Sequence, residues 1–560
     1  MKKLIICISG VFILLMGNSC KKSFLNVTPQ GQLAPSQLEN LSGIEASLVG
    51  AYTMLNGSKS GTWGTYAGAP DLWIWGEVAA DDAHKGSDPG DQPDLAAIET
   101  HNPVASNSSL SEIWQRRYEG VARCNNTLKL LSATPSVNST PRGKVIAAEA
   151  RFLRAHYYFD LWKVFKYVPY ITDTTENPGQ VTNDVDILPF IEADMLYAEQ
   201  NLPVDKPLGE VGRVDKIAGE AYLGKIYLYE KKYTEALPLF KDVISSRPDI
   251  TTIDFRDLFD VTKKNGPGAI FDVQASVQDG TGGARGNVGD MLNNPFLGSL
   301  PVGCCGFFCP SFDFVNSFRV DQNGLPRFDS LHKDYFPSSF DANFKVPTGI
   351  SIDPRLDYTV GRQGIPYRDW GIMAGNSWVR NPGNDGPFVP YKNVTDASGV
   401  ASHTEPGITN LNDLNIHIIR LADVYLMAAE CAAETNDLNT ALELVNKVRE
   451  RAAKLPSKTI KVGSNEVNAA HYHVGTYTAF PSKDYAMEAI QWERRLELGM
   501  EGSRFFDLRR WGILQSTLDG YAAYESKKLS YVVPISNNDY FYPIPQIEID
   551  ESSGVLKQHE

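Results

Sequence analysis

The spacing of apolar residues along this chain is typical of amphipathic helices over most of its length. The first such helix is predicted to begin at a capping box formed by Ser36 and Glu39. Apolar side chains three or four positions apart predict further helices over residues 110–131, 145–165 and 187–202. None of these segments alternates apolar and polar residues, as a strand with one exposed face would. The pattern therefore predicts a mainly all-α protein.

One segment carries the signature of a helical repeat. The tetratricopeptide pattern, in which small residues let two antiparallel helices approach, is matched at Leu223, Gly224, Tyr227, Ala236, Phe240 and Pro248. Weaker copies occur near residues 153–157 and 429–445. We therefore expect a tetratricopeptide-like helical repeat superhelix, with Tyr227 and Phe240 buried between their two helices. A generic helical bundle is the alternative.

Two stretches interrupt the helical pattern. They are rich in Gly-Pro, Pro-Gly and Asn-Gly steps, which favour turns, so we expect long loop-rich insertions with short strands at most. Loops on a rigid scaffold often carry binding sites. The predicted organisation is a helical region at 36–250 that contains a ligand loop at 57–104, a loop-rich insertion at 251–410, and a C-terminal helical region at 411–560.

Composition and charge argue against several classes of function. The 560 residues are 42% hydrophobic and 21% charged, which is typical of a globular protein. A formal net charge of −14 argues against binding to nucleic acid or to anionic lipid surfaces. No run of 18 apolar residues occurs, so no membrane-spanning helix is expected.

The N-terminus has the features of an export signal. Lys2 and Lys3 precede a short apolar stretch that ends near Met16, too short to span a bilayer. Residues 1–19 are therefore predicted to be a signal peptide. Small residues lead into Cys20, which we expect to be acylated as in bacterial lipoproteins, with residues 20–35 as anchor and tether. Plain cleavage without lipidation is the alternative.

Export also bears on the remaining cysteines. Cys124 and Cys431 lie in helical patterns and are expected in the core. A third group consists of Cys304, Cys305 and Cys309, for which no second ligand pair at zinc-finger spacing exists. We expect a local disulfide from Cys309 to Cys304 or to Cys305.

The sequence contains no recognisable catalytic motif. Carboxylates and arginines three to four residues apart around 493–511 are interpreted as an ion-pair lattice between packed helices. Asp88, Asp91 and Asp94 lack the spacing of an EF-hand, and whether they hold calcium stays open. No catalytic residue, metal ligand or cofactor is predicted.

Several blocks together resemble the SusD/RagB family of outer-membrane lipoproteins, which capture nutrients for Bacteroidetes. The similarity extends from the residues after Cys20 to about residue 550 in the order of the family. The blocks are Cys20–Pro29, Glu149–Leu161, Arg420–Glu430, Glu493–Leu498 with Glu501–Trp511, and Tyr542–Ile549.

The resemblance implies a binding protein of the cell surface. Such a protein captures oligosaccharides or polysaccharide fragments and passes them to a SusC-like TonB-dependent transporter in the outer membrane, to which a lipid anchor holds it. Capture of peptides, as in RagB-like members, is one alternative, and a repeat scaffold without a small ligand is another. A hydrolase that uses Asp81 and Asp82 is disfavoured, since adjacent loop carboxylates rarely flank one glycosidic bond.

Sugar sites combine aromatic platforms with hydrogen-bonding groups, because sugar rings have apolar faces and hydroxyl edges. Two loop segments supply both kinds of side chain, and they provide our candidates for glycan binding: Trp73, Trp75, Asp81 and Asp82 in the first, and Tyr367, Trp370 and Trp378 in the second.

Overall fold

A computed structural model describes residues 35–58, 66–296, 303–333, 350–537 and 540–559. The main helices in these ranges are α1 (Leu41–Tyr52), α2 (Ser108–Ala133), α3 (Pro141–Phe165), α4 (Leu188–Asn201), α5 (Lys216–Tyr229), α6 (Tyr233–Ser245), α7 (Leu421–Glu434), α8 (Leu438–Ala452), α9 (Lys483–Leu498), α10 (Arg504–Arg510) and α11 (Leu514–Glu525). Shorter helices are Pro35–Leu38, Pro93–Glu99, Pro135–Asn138, Phe312–Ser317, Pro382–Asp385, Val400–His403 and Gln546–Glu551.

The helices predicted from periodicity are present, with small shifts at their ends. The first predicted helix is divided into the short helix Pro35–Leu38 and α1, and Asn40 caps α1 by accepting a hydrogen bond from the Gly43 N–H. Thr140 caps α3 and Asp215 caps α5 in the same way. These polar side chains satisfy N–H groups that the helices leave free at their starts.

The helices stack in chain order. Each helix from α1 to α8 packs against the next one, so α6 meets α7 although residues 246–420 separate them. Helix α9 then packs on α7. This succession of packed neighbours is the tetratricopeptide-like superhelix that the sequence predicts. The insertion leaves the superhelix after α6 and rejoins it at α7.

The predicted repeat unit is the pair of helices α5 and α6. Phe240 has no exposed surface, and Gly224 lies directly opposite it: a Cβ at Gly224 would be 2.6 Å from Cε1 of Phe240. The expected burial of Phe240 is therefore confirmed. The expected burial of Tyr227 is wrong, since its ring is half-buried at the edge of the pair, with the Lys232 ammonium 5.4 Å from its centroid.

The strands are short and form two-stranded pairs in the described ranges. They are β1 (Ala83–Gly86), β2 (Ala269–Val273), β3 (Phe307–Pro310), β4 (Ser351–Ile352), β5 (Val360–Gly361), β6 (Val389–Pro390), β7 (Thr404–Glu405), β8 (Ile408–Asn412), β9 (Ile416–Arg420), β10 (Thr459–Val462), β11 (Asn465–Asn468) and β12 (His471–Tyr472). The antiparallel pairs are β1–β3, β2–β9, β5–β6, β7–β8 and β10–β11, whereas β4 and β12 are parallel.

Buried ion pairs join the insertion to the C-terminal helices. Arg355 contacts Asp353 and Glu493 at 2.7 Å, and Glu493 also contacts Arg449 at 2.7 Å. Glu497 contacts Arg355 at 3.0 Å. These side chains are fully buried. The charged motif near the C-terminus is therefore a packing lattice, as interpreted from the sequence, and breaking one of its pairs would leave an uncompensated buried charge.

The cysteine prediction is only partly correct. Cys124 and Cys431 are buried in the core. The disulfide, however, joins the adjacent residues Cys304 and Cys305, and Cys309 is unpaired and buried. The expected pairing of Cys309 is therefore wrong. Cys309 belongs to β3, and its thiol donates to the Gly306 carbonyl, 3.5 Å away.

No helix among the described residues is long and apolar enough to cross a membrane. Residues 1–34 lie outside the described ranges, and so do the predicted signal peptide, Cys20 and most of its tether.

Candidate functional site

A cavity of about 750 Å³, here called the polar cavity, opens between the insertion and the end of α8. It is lined by residues from four separate segments: 255–260, 358–369, 391–398 and 456–459. Its volume lies within the range usual for sites that bind small molecules. The polar cavity is therefore large enough for a ligand of several linked rings.

A second cavity is lined by many charged residues but is too small to hold a sugar. About 60 Å³ in volume, it lies among buried charged residues such as Asp160, Lys163, Arg420 and Asp423. Such a volume suits a few water molecules between polar groups. Two larger pockets, of about 680 Å³ near Trp114 and about 340 Å³ near Tyr52, have mainly apolar linings and fewer groups for hydroxyls.

Aromatic rings form the walls of the polar cavity. Tyr358 and Tyr391 are 9% and 8% exposed, so only a small part of each ring is open to the cavity. Phe255 and Phe259 also line the cavity and are 1% and 8% exposed. The Lys392 ammonium lies 5.5 Å and 4.9 Å from the centroids of these two phenylalanine rings, and it contacts Glu501 at 2.5 Å. The buried lattice thus supports the cavity wall from behind, through cation–π contacts.

Arg368 fixes the relative positions of three of the lining segments. Its guanidinium donates to the carbonyls of Tyr391 at 3.0 Å, Lys392 at 3.2 Å and Phe259 at 3.2 Å. It also lies 3.4 Å from Asp396. A planar group with five donors can hold several carbonyls at once, so Arg368 acts as a clamp that gives the cavity its shape.

Asp369 orders the next part of the rim. Its carboxylate accepts hydrogen bonds from the N–H groups of Ala397 at 2.5 Å and Ser398 at 2.9 Å. Burial works against its charge, but these hydrogen bonds keep the pKa of Asp369 below its usual value. The carboxylate is therefore charged at neutral pH, and it remains exposed at the rim.

Lys458 lines the polar cavity, as do Arg256 and Arg368. Its ammonium lies 4.3 Å from the ring centroid of Tyr391 and 4.8 Å from that of Tyr358. It donates to the carbonyl of Pro366 at 2.7 Å and to the Tyr391 hydroxyl at 3.2 Å. Burial lowers the pKa of Lys458 to about 7. In the charged form, which predominates below pH 7, two of its three donors are engaged within the described residues, which leaves one for a ligand.

The first group of candidates from the sequence does not form a platform. Trp73 and Trp75 have no exposed surface. Their indole N–H groups donate to the carbonyls of Gly289 at 3.2 Å and Ala67 at 2.8 Å. Trp73 packs against Phe308 of the insertion, with ring centroids 5.3 Å apart, and Trp75 packs against Tyr542 of the C-terminal segment at 5.0 Å. Because both rings fill the core, their expected exposure to a ligand is wrong.

Asp81 and Asp82 are likewise buried instead of lining a binding loop. Asp81 contacts Arg504 at 2.8 Å and Arg495 at 2.9 Å, and Asp82 contacts Arg495 at 2.7 Å. Both carboxylates have no exposed surface. They pair with arginines of α9 and α10, which corrects their expected availability to a glycan: a carboxylate without exposed surface cannot reach sugar hydroxyls.

The second group lies at the polar cavity but mostly beneath it. Tyr367 is 1% exposed and Trp378 is 6% exposed, and their ring centroids are 5.4 Å apart. Tyr367 also packs 5.0 Å from Tyr391. These two rings support the wall and are too buried to stack on a ligand, contrary to the expectation. Trp370 is half-buried, and its indole N–H donates to the Thr395 carbonyl at 2.9 Å.

Most of the residues that line the polar cavity could not be predicted from the sequence. Phe255, Phe259, Tyr391 and Lys458 carry no local signature, and they meet only because the insertion folds against the end of α8. The one signal in the sequence is the aromatic and charged segment around Tyr367, because its residues Arg368 and Asp369 line the cavity.

Asp88, Asp91 and Asp94 have partners within the protein. Asp88 and Asp91 contact Arg380 at 3.0 Å and 2.8 Å, and Asp94 accepts from the Ser108 N–H at 2.9 Å. Across the described residues, no group of three or more acidic, histidine or cysteine side chains is arranged to hold a metal ion.

Comparison with known protein families shows to which family this chain belongs. A profile described as the SusD family matches residues 267–559, and one described as "Starch-binding associating with outer membrane" matches residues 73–228. The first match alone covers more than half of the 560 residues. This protein belongs to the SusD family.

Individual SusD-like proteins match nearly the whole chain. One from Formosa agariphila is 25% identical over 525 residues, which make up 90% of this chain and 89% of the relative. One from Bacteroides ovatus is 23% identical over 519 residues, or 89% of this chain and 80% of the relative.

Solved structures of SusD-like proteins share the fold. A SusD-like protein from Bacteroides fragilis has a TM-score of 0.70 at 20% identity, with 94% of this chain and 98% of that chain covered. Surface glycan-binding protein A from Bacteroides thetaiotaomicron, in complex with laminarihexaose, has a TM-score of 0.67 at 21% identity, with 92% and 99% covered.

Proposed function

We propose that this SusD-family protein captures oligosaccharides in the polar cavity, does not cleave them, and delivers them to a SusC-like TonB-dependent transporter. The observation that carries the proposal is the cavity itself. It combines aromatic walls with an ammonium, carboxylates and hydroxyls within about 750 Å³. Sugar hydroxyls both donate and accept hydrogen bonds, so they match a lining that offers both kinds of group.

Two structural relatives support a saccharide over other ligands. One is described as a laminarin-binding SusD-like protein, and another was solved with laminarihexaose. Their identities to this chain are 21%, so they support the class of ligand and not a particular glycan. The description "associating with outer membrane" in the matched profile supports the predicted location.

The location follows from the sequence at the N-terminus. We propose that acylated Cys20 anchors the protein in the outer membrane, with the folded part exposed at the cell surface. There the helical superhelix provides a rigid body for the transporter to contact, and the insertion carries the polar cavity. The absence of a membrane-spanning helix from the described residues is compatible with a lipid anchor as the attachment.

The test is calorimetry of the soluble form that lacks residues 1–20, with oligosaccharides of several glycan classes and with peptides. Lys458→Met removes the free donor of the polar cavity while keeping an unbranched side chain. At pH 6, below the pKa of about 7, Lys458 is mostly charged, and hydrogen bonds from charged groups contribute about 1.5–3 kcal/mol. Affinity for a bound oligosaccharide at this pH should therefore fall about tenfold or more. Mass spectrometry after prolonged incubation should show the intact oligosaccharide.

Lys454→Met is the matched control. Lys454 is exposed, and its ammonium donates to the Thr251 carbonyl at 2.7 Å, outside the lining of the polar cavity. This variant should bind like the wild type. Binding of peptides but of no saccharide would contradict the proposal and favour a peptide-capturing protein. An unchanged saccharide affinity of Lys458→Met would show that the ligand lies elsewhere.

A further inference from the structure

A β-hairpin rises from the rim of the polar cavity. Strands β10 and β11 pair in register from Thr459 with Asn468 to Val462 with Asn465. Thr459 and the preceding Lys458 both line the cavity. The Ala469 N–H donates to the Lys458 carbonyl at 2.8 Å and closes the base of the hairpin. The hairpin is thus continuous with the cavity wall.

The hairpin is almost entirely exposed. Every residue from Lys461 to Asn468 is exposed, and Ile460 is half-buried. A lone two-stranded hairpin is only marginally stable in water, and this one adds little to the core. Its exposed side chains are therefore available to a ligand at the cavity mouth.

The two faces of the hairpin differ in chemistry. Because side chains alternate along a strand, Thr459 and Lys461 share one face with Asn468 and Glu466. The Thr459 hydroxyl donates to the Glu466 carboxylate at 2.5 Å, a diagonal contact across that face. We call these four residues the polar face. The opposite face carries Ile460, Val462, Val467 and Asn465, so three of its four residues are apolar.

The polar face suits the hydroxyl groups of a sugar chain. It presents a hydroxyl, an ammonium, a carboxylate and an amide, which together donate and accept hydrogen bonds. It begins at Thr459, which also lines the polar cavity. The four residues form two cross-strand pairs that lie two positions apart along the hairpin. A strand rises about 3.3 Å per residue, so the polar face extends the lining of the cavity by about 7 Å. A sugar chain that emerges from the cavity can therefore continue along this face.

We infer that the polar face of the hairpin is an extension of the saccharide site, which makes the preferred ligand a chain longer than the polar cavity can hold. This inference rests on the proposed function. Units within the polar cavity bind there, and the units that emerge from it lie along the hairpin. The hairpin then distinguishes ligands by chain length, whereas the polar cavity distinguishes them by the type of sugar.

The test compares two triple variants of one hairpin. The first removes the polar face (Lys461→Ala, Glu466→Ala and Asn468→Ala). The matched control changes the opposite face (Ile460→Ala, Val462→Ala and Val467→Ala). Calorimetry uses disaccharides and hexasaccharides prepared from β-1,3-glucan, α-1,4-glucan, xylan and mannan, and circular dichroism checks that both variants stay folded.

We expect the polar-face variant to lose about tenfold in affinity for a bound hexasaccharide and to keep its disaccharide affinity, since short chains stay inside the polar cavity. The control should bind both lengths like the wild type. Unchanged hexasaccharide binding in the polar-face variant, equal losses at both lengths, or a loss in the control would overturn the extension alone. Failure of the wild type to bind any saccharide would overturn the proposed function, and the extension with it.

Discussion

His84 is a buried side chain held between two carboxylates. Its Nε2 lies 2.9 Å from Glu525 and its Nδ1 lies 3.2 Å from Glu99. Burial opposes a charge on the ring, but hydrogen bonds to Glu525 and Glu99 outweigh burial and raise the pKa of His84 to about 9. The charged imidazolium therefore ties β1 to α11 and to the helix Pro93–Glu99.

This arrangement predicts a pH-dependent contribution to stability. The folded-state pKa of about 9 lies above the ordinary value of 6.5, so the stabilisation is fully present below pH 6.5 and is lost as the pH rises through about 9. The difference in unfolding free energy between wild type and His84→Gln should shrink by on the order of 3 kcal/mol over that range. Denaturant titrations from pH 6 to pH 10 measure it, and a constant difference would contradict a buried imidazolium.

At the scale of elements, the pair of helices α5 and α6 depends on one close contact. Gly224 has no room for a side chain, because a Cβ there would meet the ring of Phe240. The repeat pattern requires a small residue at the position of Gly224 and an aromatic residue at the position of Phe240. The pair in turn packs on α4 and α7, so it links the helices before the insertion to those after it.

We expect Gly224→Ala to destabilise the protein by about 1–3 kcal/mol through overpacking, and Phe240→Ala by about 3–5 kcal/mol through a cavity. The double variant should cost less than the sum, because the missing ring makes room for the new methyl group. Reversible denaturation of all three variants measures this coupling. Simple additivity would mean that the two positions do not touch.

Gly50→Ala in α1 is the control for these helix substitutions. A Cβ at Gly50 would meet nothing within 4 Å. Alanine is favoured over glycine inside helices, so this variant should be unchanged or more stable by up to about 1 kcal/mol. A loss there as large as that of Gly224→Ala would point to a general effect of alanine and not to the contact with Phe240.

At the scale of the whole molecule, distant parts of the chain share one core. The main cluster of buried apolar residues runs from Ile44 to Leu556. The Tyr542 N–H donates to the Val164 carbonyl at 3.0 Å, and the Gln546 N–H donates to the Ala105 carbonyl at 2.8 Å. The C-terminal segment thus returns to the N-terminal helices. The division of the chain at 250 and 410 stays a prediction.

The membrane attachment is a property of the whole molecule that depends on one residue. Cys20→Ala should prevent acylation, so the protein should either become soluble or remain uncleaved, since the modified cysteine is the site of both steps. Detergent phase partitioning of cell extracts, together with the mass of the product, distinguishes these results from the lipidated wild type. A variant that still enters the detergent phase at the mature mass would show that Cys20 is not the anchor.

The sequence by itself determined the helices, their stacking as a tetratricopeptide-like superhelix, and the family. The helices depend on apolar residues three or four positions apart, and their stacking depends on small residues that face large ones, as Gly224 faces Phe240. Both patterns can be recognised from the order of residues along the chain. The sequence also marked the segment around Tyr367, whose neighbours Arg368 and Asp369 line the polar cavity.

Only the tertiary structure decided which aromatic rings are buried and which segments meet. Trp75 and Tyr367 lie in loop-rich sequence, yet both are buried. Trp75 belongs to the main core, whereas Tyr367 belongs to a second apolar cluster formed mostly within the insertion. The polar cavity joins Phe259, Tyr391 and Lys458 from distant parts of the chain. Such contacts depend on how the insertion packs against α8, and no periodic pattern of side chains specifies that packing.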